Sequence, residues 1–133
     1  MDYGTSYEKD LITLKPERKF WLKVKKFMPN ISFTRLENLS SLGTPDLLCY
    51  NKKGTFFTVE LKVAKVNSVK LSPHQISFHV RHPKNSFILV SSDAYKDEKL
   101  YEGSRCLSLA AEGCKLTPCR SGLDSIYDYF QSL

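Results

Sequence analysis

The sequence predicts a single α/β domain spanning residues 1–133, with elements in the order αβββαβ around a central mixed sheet flanked by helices. Three observations predict it. Apolar residues recur at helical spacing from Phe20 to Met28, and over Thr55 to Val63 an apolar face of Phe57, Val59, Leu61 and Val63 alternates with a mixed face of Phe56, Thr58, Glu60 and Lys62. A helix start at Ser72-Pro73 then separates that strand from the continuous apolar run Phe87-Ile88-Leu89-Val90, the pattern of a crossover between parallel strands. A chain of 133 residues, 41% of them hydrophobic, has enough apolar surface for one core and not for two.

The polar opening, residues 1–13, reads as a loosely held arm. Phe20, Trp21, Val24, Phe27 and Met28 give the first helix its apolar stripe, Pro16 suits its first position and Pro29 stops it, which predicts a helix over 16–28. Ile31 to Glu37 alternates as a strand, Asn38 to Thr44 is loop, and Asp46 to Tyr50 is a second short strand. Asn51-Lys52-Lys53-Gly54 is turn chemistry leading into the strand Thr55 to Val63. Ser72-Pro73-His74-Gln75 fits a capping box and opens a helix that ends near His82, before Pro83. Ser86 to Ser91 is a buried strand. Residues 93–133 read as an extension of this core. Leu100 to Ala111 suggests a short strand and a short helix, and Leu123, Ile126, Tyr127 and Phe130 form the apolar face of a last helix.

No apolar run approaches the length of a bilayer span, and the opening residues lack a secretory pattern, so the expectation is a cytoplasmic, non-secreted protein with no membrane partner. Cys49, Cys106, Cys114 and Cys119 show no short paired spacing of a zinc site and read as reduced thiols. Residues 1–70 hold 13 Lys and Arg against 7 Asp and Glu, whereas residues 71–133 hold 7 of each, so the whole excess of +6 lies in the first half. A one-sided basic surplus concentrates polyanions, and nucleic acid is the first partner to consider.

Chemistry concentrates at Asp46 and at Glu60-Leu61-Lys62. With a three-residue loop Lys52-Lys53-Gly54, and Gly54 in the left-handed conformation such loops demand, Asn51 faces Thr55 and Asp46 falls opposite Glu60 on the same side of the sheet. Their side-chain roots are then about 5 Å apart; a two-residue loop would put them on opposite faces. Facing carboxylates repel, which calls for a compensating cation or a raised pKa. Oxygen ligands favour Mg²⁺, which takes one or two protein carboxylates and keeps several waters. Lys62 lies one pleat beyond Glu60 on that face, roughly 6 to 7 Å along the strand. Glu17 falls within about 20° of the centre of the first helix's stripe and is expected to point inward as a third acid.

Each residue also has a plainer reading. The helix dipole alone favours Glu17 in a first turn, capping alone accounts for Gln75, and Glu60 with Lys62 fits a cross-strand ion pair on a solvated face. The convergence of acids and lysine on one face, inside the basic half, favours the functional reading.

At these residues the chain resembles the PD-(D/E)xK nuclease superfamily, read here as Pro45-Asp46, a gap of 13 residues, and Glu60-Leu61-Lys62. Within it the chain is similar to small phage and archaeal endonucleases of the Holliday-junction-resolvase and VRR-NUC type. These place an acid on the first helix, a Gly-containing loop before the Pro-Asp, and a Pro-Gln helix start after the lysine; Glu17, Leu42-Gly43-Thr44 and Leu71-Ser72-Pro73-His74-Gln75 match in turn. The likeness covers about Pro16 to Val90. Its serine loop has no clear counterpart, although Ser40 and Ser41 lie nearby, and the chain shows no added recognition domain.

The resemblance implies a restriction-endonuclease-like core and a metal-dependent endodeoxyribonuclease. Asp46, Glu60, the Leu61 carbonyl and Glu17 would hold Mg²⁺, with Mn²⁺ as a substitute. Asp46, Glu60, Lys62, Glu17 and Gln75 would form the catalytic set, and the products would carry 5′-phosphate and 3′-hydroxyl ends. Arg35, Lys52, Lys53, Lys65 and Lys70 are the expected DNA-phosphate contacts. The DNA substrate is branched or duplex, with a flap or linear-duplex nuclease of VRR-NUC type as the alternative. One such site cuts one strand, so a homodimer is expected, with Phe78 as a candidate interface residue. The rival from another class is a non-catalytic nucleic-acid-binding module whose acids form structural ion pairs with Lys62 and Arg35; a third reading is a phage accessory protein acting through protein contacts.

Overall fold

The structure, a computed structural model, describes residues 15–36 and 43–133. Among them, a mixed sheet of six strands is flanked by four α-helices. The order is α1 (Pro16–Phe27), β1 (Ser32–Arg35), β2 (Leu47–Tyr50), β3 (Phe56–Ala64), α2 (Pro73–Arg81), β4 (Ser86–Ser92), β5 (Lys99–Glu102), α3 (Cys106–Glu112), β6 (Arg120–Ser121) and α4 (Leu123–Ser132). Through β4 this is the expected αβββαβ succession. Strands pair in chain order; β3 and β4 run parallel through the α2 crossover, and every other pair is antiparallel. The arm expected over 1–13, the strand end at Glu37, and Ser40, Ser41 and Leu42 lie outside the described residues. No helix among those described is long and apolar enough to cross a membrane.

Both faces of the sheet are covered, so the alternation along β3 separates two cores rather than core from water. On one face Phe20, Trp21 and Val24 of α1 and Ile126 and Phe130 of α4 pack with Phe57, Val59, Phe87 and Leu89. On the other, Leu109 of α3 packs with Ala64, Ile88, Val90 and Tyr101. Each fully buried aromatic or aliphatic side chain here contributes roughly 1.5–3 kcal/mol. The segment beyond residue 93 supplies part of both cores, and β6 is an added edge that its two polar residues do not announce.

The β2–β3 hairpin sets the register of everything that follows. Gly54 has φ +85, its N–H donates to Asn51 O at 3.0 Å, and Asn51 N–H donates to Thr55 O at 3.2 Å, the expected three-residue loop. Asn51 is buried and fully engaged: its Oδ1 accepts from Lys53 N and Thr55 N, and its Nδ2 donates to Phe130 O and Leu133 O. One amide thus shapes the turn and ties it to the end of α4.

Candidate active site

Leu47 pairs with Val59 and Leu48 with Thr58, so the next step of the register sets Asp46 opposite Glu60. Their side chains share the face that carries Lys62 and lies under α2. Asp46 is fixed twice: Leu36 N–H donates to its backbone oxygen at 2.9 Å, and Leu61 N–H donates to its Oδ2 at 2.8 Å. Glu60 is only 2% exposed, and its Oε1 accepts from Gln75 Nε2 at 2.9 Å. Burial first, and the neighbouring Asp46 carboxylate second, push Glu60 up to about 9, against the downward pull of Lys62.

Gln75 caps α2 and also reaches Glu60 and Lys62. Its Oε1 accepts from Ser72 N at 3.0 Å, closing the capping box, and from Lys62 Nζ at 2.9 Å. Because Nε2 faces Glu60, the amide has a single orientation that serves all three partners. The close seat of α2 depends on Gly43, at φ +84, where a β-carbon would lie 2.3 Å from His74 O. Asp46, Glu60, Leu61, Lys62 and Gln75 therefore form one cluster; the shared face of Asp46, Glu60 and Lys62 is the one that the loop length predicts.

The ion pairs required by a purely structural reading do not form. Among the described residues the one salt bridge is Lys23 with Glu98. Lys62 is held by an amide, and the Arg35 guanidinium lies 5.8 Å over the Trp21 ring. Two acids are left facing each other, one of them buried, with no cation among the described residues bonded to either.

Two grooves open beside this cluster and meet at Glu17 and Leu61. One, of about 350 Å³, is lined by Lys62, Lys65, Ser68 and Lys70 among others; the second, of about 330 Å³, by Lys15, Arg18, Arg35 and Asp46. The inward orientation expected of Glu17 is corrected: Glu17 is exposed, because it belongs to the first turn of α1, one turn before Phe20 and Trp21 enter the core. It borders the site without joining a third acid to the pair, and no group of three or more His, Cys, Asp or Glu gathers among the described residues. Lys52 and Lys53 lie at the far end of the hairpin, about 16 Å of strand from Asp46, and Lys53 Nζ donates to Ser132 O. Phe78 is half-buried and stacks on His82 at 4.3 Å, while Val80 is the exposed apolar residue of α2.

Sequence reasoning missed Lys15, just before α1, and Arg18 in its first turn, which line the same groove. It also missed His79, fully buried on α2 one turn after Gln75, with Nδ1 2.6 Å from Ser86 Oγ. Burial, and then the charges of His82 and Lys62, lower His79 to about 4. Burial pushes the thiols of Cys49, Cys106, Cys114 and Cys119 up, which leaves none suited to act as a nucleophile.

No family model matches the chain, and no curated protein matches it. Among solved structures it is similar to Hjc, a Holliday junction resolvase of Archaeoglobus fulgidus, at 15% identity and a TM-score of 0.48, over 66% of this chain and 70% of that chain. A likeness of that extent leaves the chemistry to the side chains.

Proposed function

We propose that this protein is a divalent-metal-dependent DNA endonuclease of the PD-(D/E)xK type. The observation that carries the reading is the acid pair: Asp46 and buried Glu60 face each other with no cation among the described residues bonded to either, beside a lysine held on an amide. Burial and the Asp46 carboxylate keep a proton on Glu60 at neutral pH, a proton that a divalent ion would displace, and hard oxygen donors suit Mg²⁺ or Mn²⁺. The donor set fits the ion: Asp46 and Glu60 would hold it, with the Leu61 carbonyl, and Glu17 borders the site closely enough to act through water. When bound, the ion supplies a water of lowered pKa and neutralises charge on the scissile phosphate.

The remaining work falls to the chain. Lys62 Nζ stabilises charge developing on the phosphate oxygens and orients the attacking water, and Gln75 holds that ammonium in place while bridging to Glu60. Lys65 and Lys70 on one side, and Lys15, Arg18 and Arg35 on the other, position the backbone of the DNA without reading its sequence. A two-fold homodimer would supply the second site that a double-strand cut requires.

Cleavage of a four-way junction, a flap, a nicked duplex and a linear duplex in Mg²⁺ or Mn²⁺ tests this. Wild-type protein cuts at least one of them, and Asp46→Ala slows that reaction by at least about 100-fold. Equal rates for wild type and Asp46→Ala leave the non-catalytic binding module as the reading.

A further inference from the structure

Just past the candidate site, the chain leaving β3 turns back at Lys65-Val66-Asn67-Ser68. Lys65 and Ser68 pair across the turn, and Ser68 N–H donates to Lys65 O at 3.0 Å. Val66 has φ +56 and Asn67 does not share the sign, the pattern of a type II′ turn, whose first central position belongs to glycine. Asn85, at φ +53, is of a type that tolerates this region; a β-branched valine is not.

The surrounding fold clamps the strained backbone. Val66 N–H donates to Asp93 Oδ1 at 3.1 Å, Ser92 Oγ donates to Val66 O, Cys114 N–H donates to Asn67 O at 2.8 Å, and the Tyr95 hydroxyl donates to Asn67 Oδ1. None of these bonds uses the valine side chain, which is 57% exposed, so no packing offsets the strain. Lys65 and Ser68, the turn's flanks, line the same groove as Lys62 and Lys70. Val66 follows Lys62 by four residues, at most about 14 Å, which is within roughly four base-pair steps of a phosphate held there.

We propose that Val66 is an apolar wedge that presses on the base stack within about four steps of the scissile phosphate, and that it directs the site to DNA whose stacking is already interrupted, at a nick or branch point. The position of that phosphate rests on the nuclease reading. An apolar side chain set between bases must unstack them, and the cost is least where the duplex is already broken. Lys65 and Lys70 hold the backbone on which the wedge bears.

Fluorescence anisotropy in EDTA, with a nicked duplex and an intact duplex of one sequence, measures the preference apart from cleavage. Wild type and Val66→Leu bind the nicked duplex at least about fivefold more tightly, and Val66→Gly, which melts no lower than wild type, loses the preference to within about twofold. A wild type without the preference, or a Val66→Gly protein that keeps it, overturns the wedge; a Val66→Gly protein that melts lower overturns the strain on which it is argued. A wild type that prefers the nick but cuts no DNA in Mg²⁺ or Mn²⁺ defeats the nuclease reading and leaves the wedge standing.

Discussion

Asp46 carries two jobs that a single substitution separates. Asp46→Asn keeps an oxygen for the Leu61 N–H but removes the charge that helps hold Glu60 protonated. Cleavage is expected to fall by about 100-fold or more, and the loss of stability with rising pH that Glu60 causes should be complete at lower pH than in wild type, which a cleavage assay and unfolding followed against pH read together. Gln75→Leu removes the partner of Lys62, of Glu60 and of the Ser72 N–H in one step. Urea unfolding should register a loss of about 1–2 kcal/mol, and steady-state kinetics a fall in kcat larger than the rise in KM. The acids and the lysine were legible in the sequence because strand parity is local and a Gly-ended loop fixes it. His79 was not, since nothing in the spacing of α2 says that its imidazole meets Ser86 from the next strand.

At the scale of elements, the site is assembled by two short connections. The hairpin loop fixes which residues of β2 and β3 face each other, so deleting Lys53 inverts the parity and separates Asp46 from Glu60. The loop before β2 seats α2: Gly43→Ala puts a β-carbon 2.3 Å from His74 O on a backbone at φ +84. A loss of at least about 1–3 kcal/mol in urea unfolding is expected, together with reduced cleavage, because α2 carries Gln75. The sequence shows these elements through Pro16, Gly54, Ser72 and Pro83, residues whose backbone limits act locally. It does not show β6, whose two residues, Arg120 and Ser121, are polar and become strand only by pairing with β5. Nor does helical periodicity show that Glu17 stays in solvent, since the stripe angle ignores where the core begins beneath the helix.

For the whole molecule, the basic surplus and the buried acid give the broadest tests. Lys65 and Lys70 line the groove beside Lys62, while Lys52 and Lys53 stand at the other end of the sheet. Lys65→Ala and Lys70→Ala should each weaken DNA binding and reduce the slope of log K against log salt by about 1, and Lys52→Ala should leave both unchanged. Two buried groups set the pH dependence of the metal-free fold. Between about 4.5 and 6.5 the unfolded chain gains a proton at His79 while the native chain holds one at Glu60, so their effects on stability oppose each other. From about 6.5 to 8, below the range where the unfolded thiols ionise, Glu60 alone remains; its raised pKa gives stability that is lost as pH rises, by up to about 1.4 kcal/mol per pH unit. The difference in unfolding free energy between wild type and Glu60→Gln, followed across that range in EDTA, should show this decline. The central claim is that Asp46 and Glu60 grip one divalent ion beside Lys62, and the anomalous scattering of a Mn²⁺-soaked crystal tests it most directly. A peak within coordination distance of both carboxylates, absent in Asp46→Ala, is the predicted result; Mn²⁺ bound elsewhere, or no peak at a concentration that supports DNA cleavage, would contradict it.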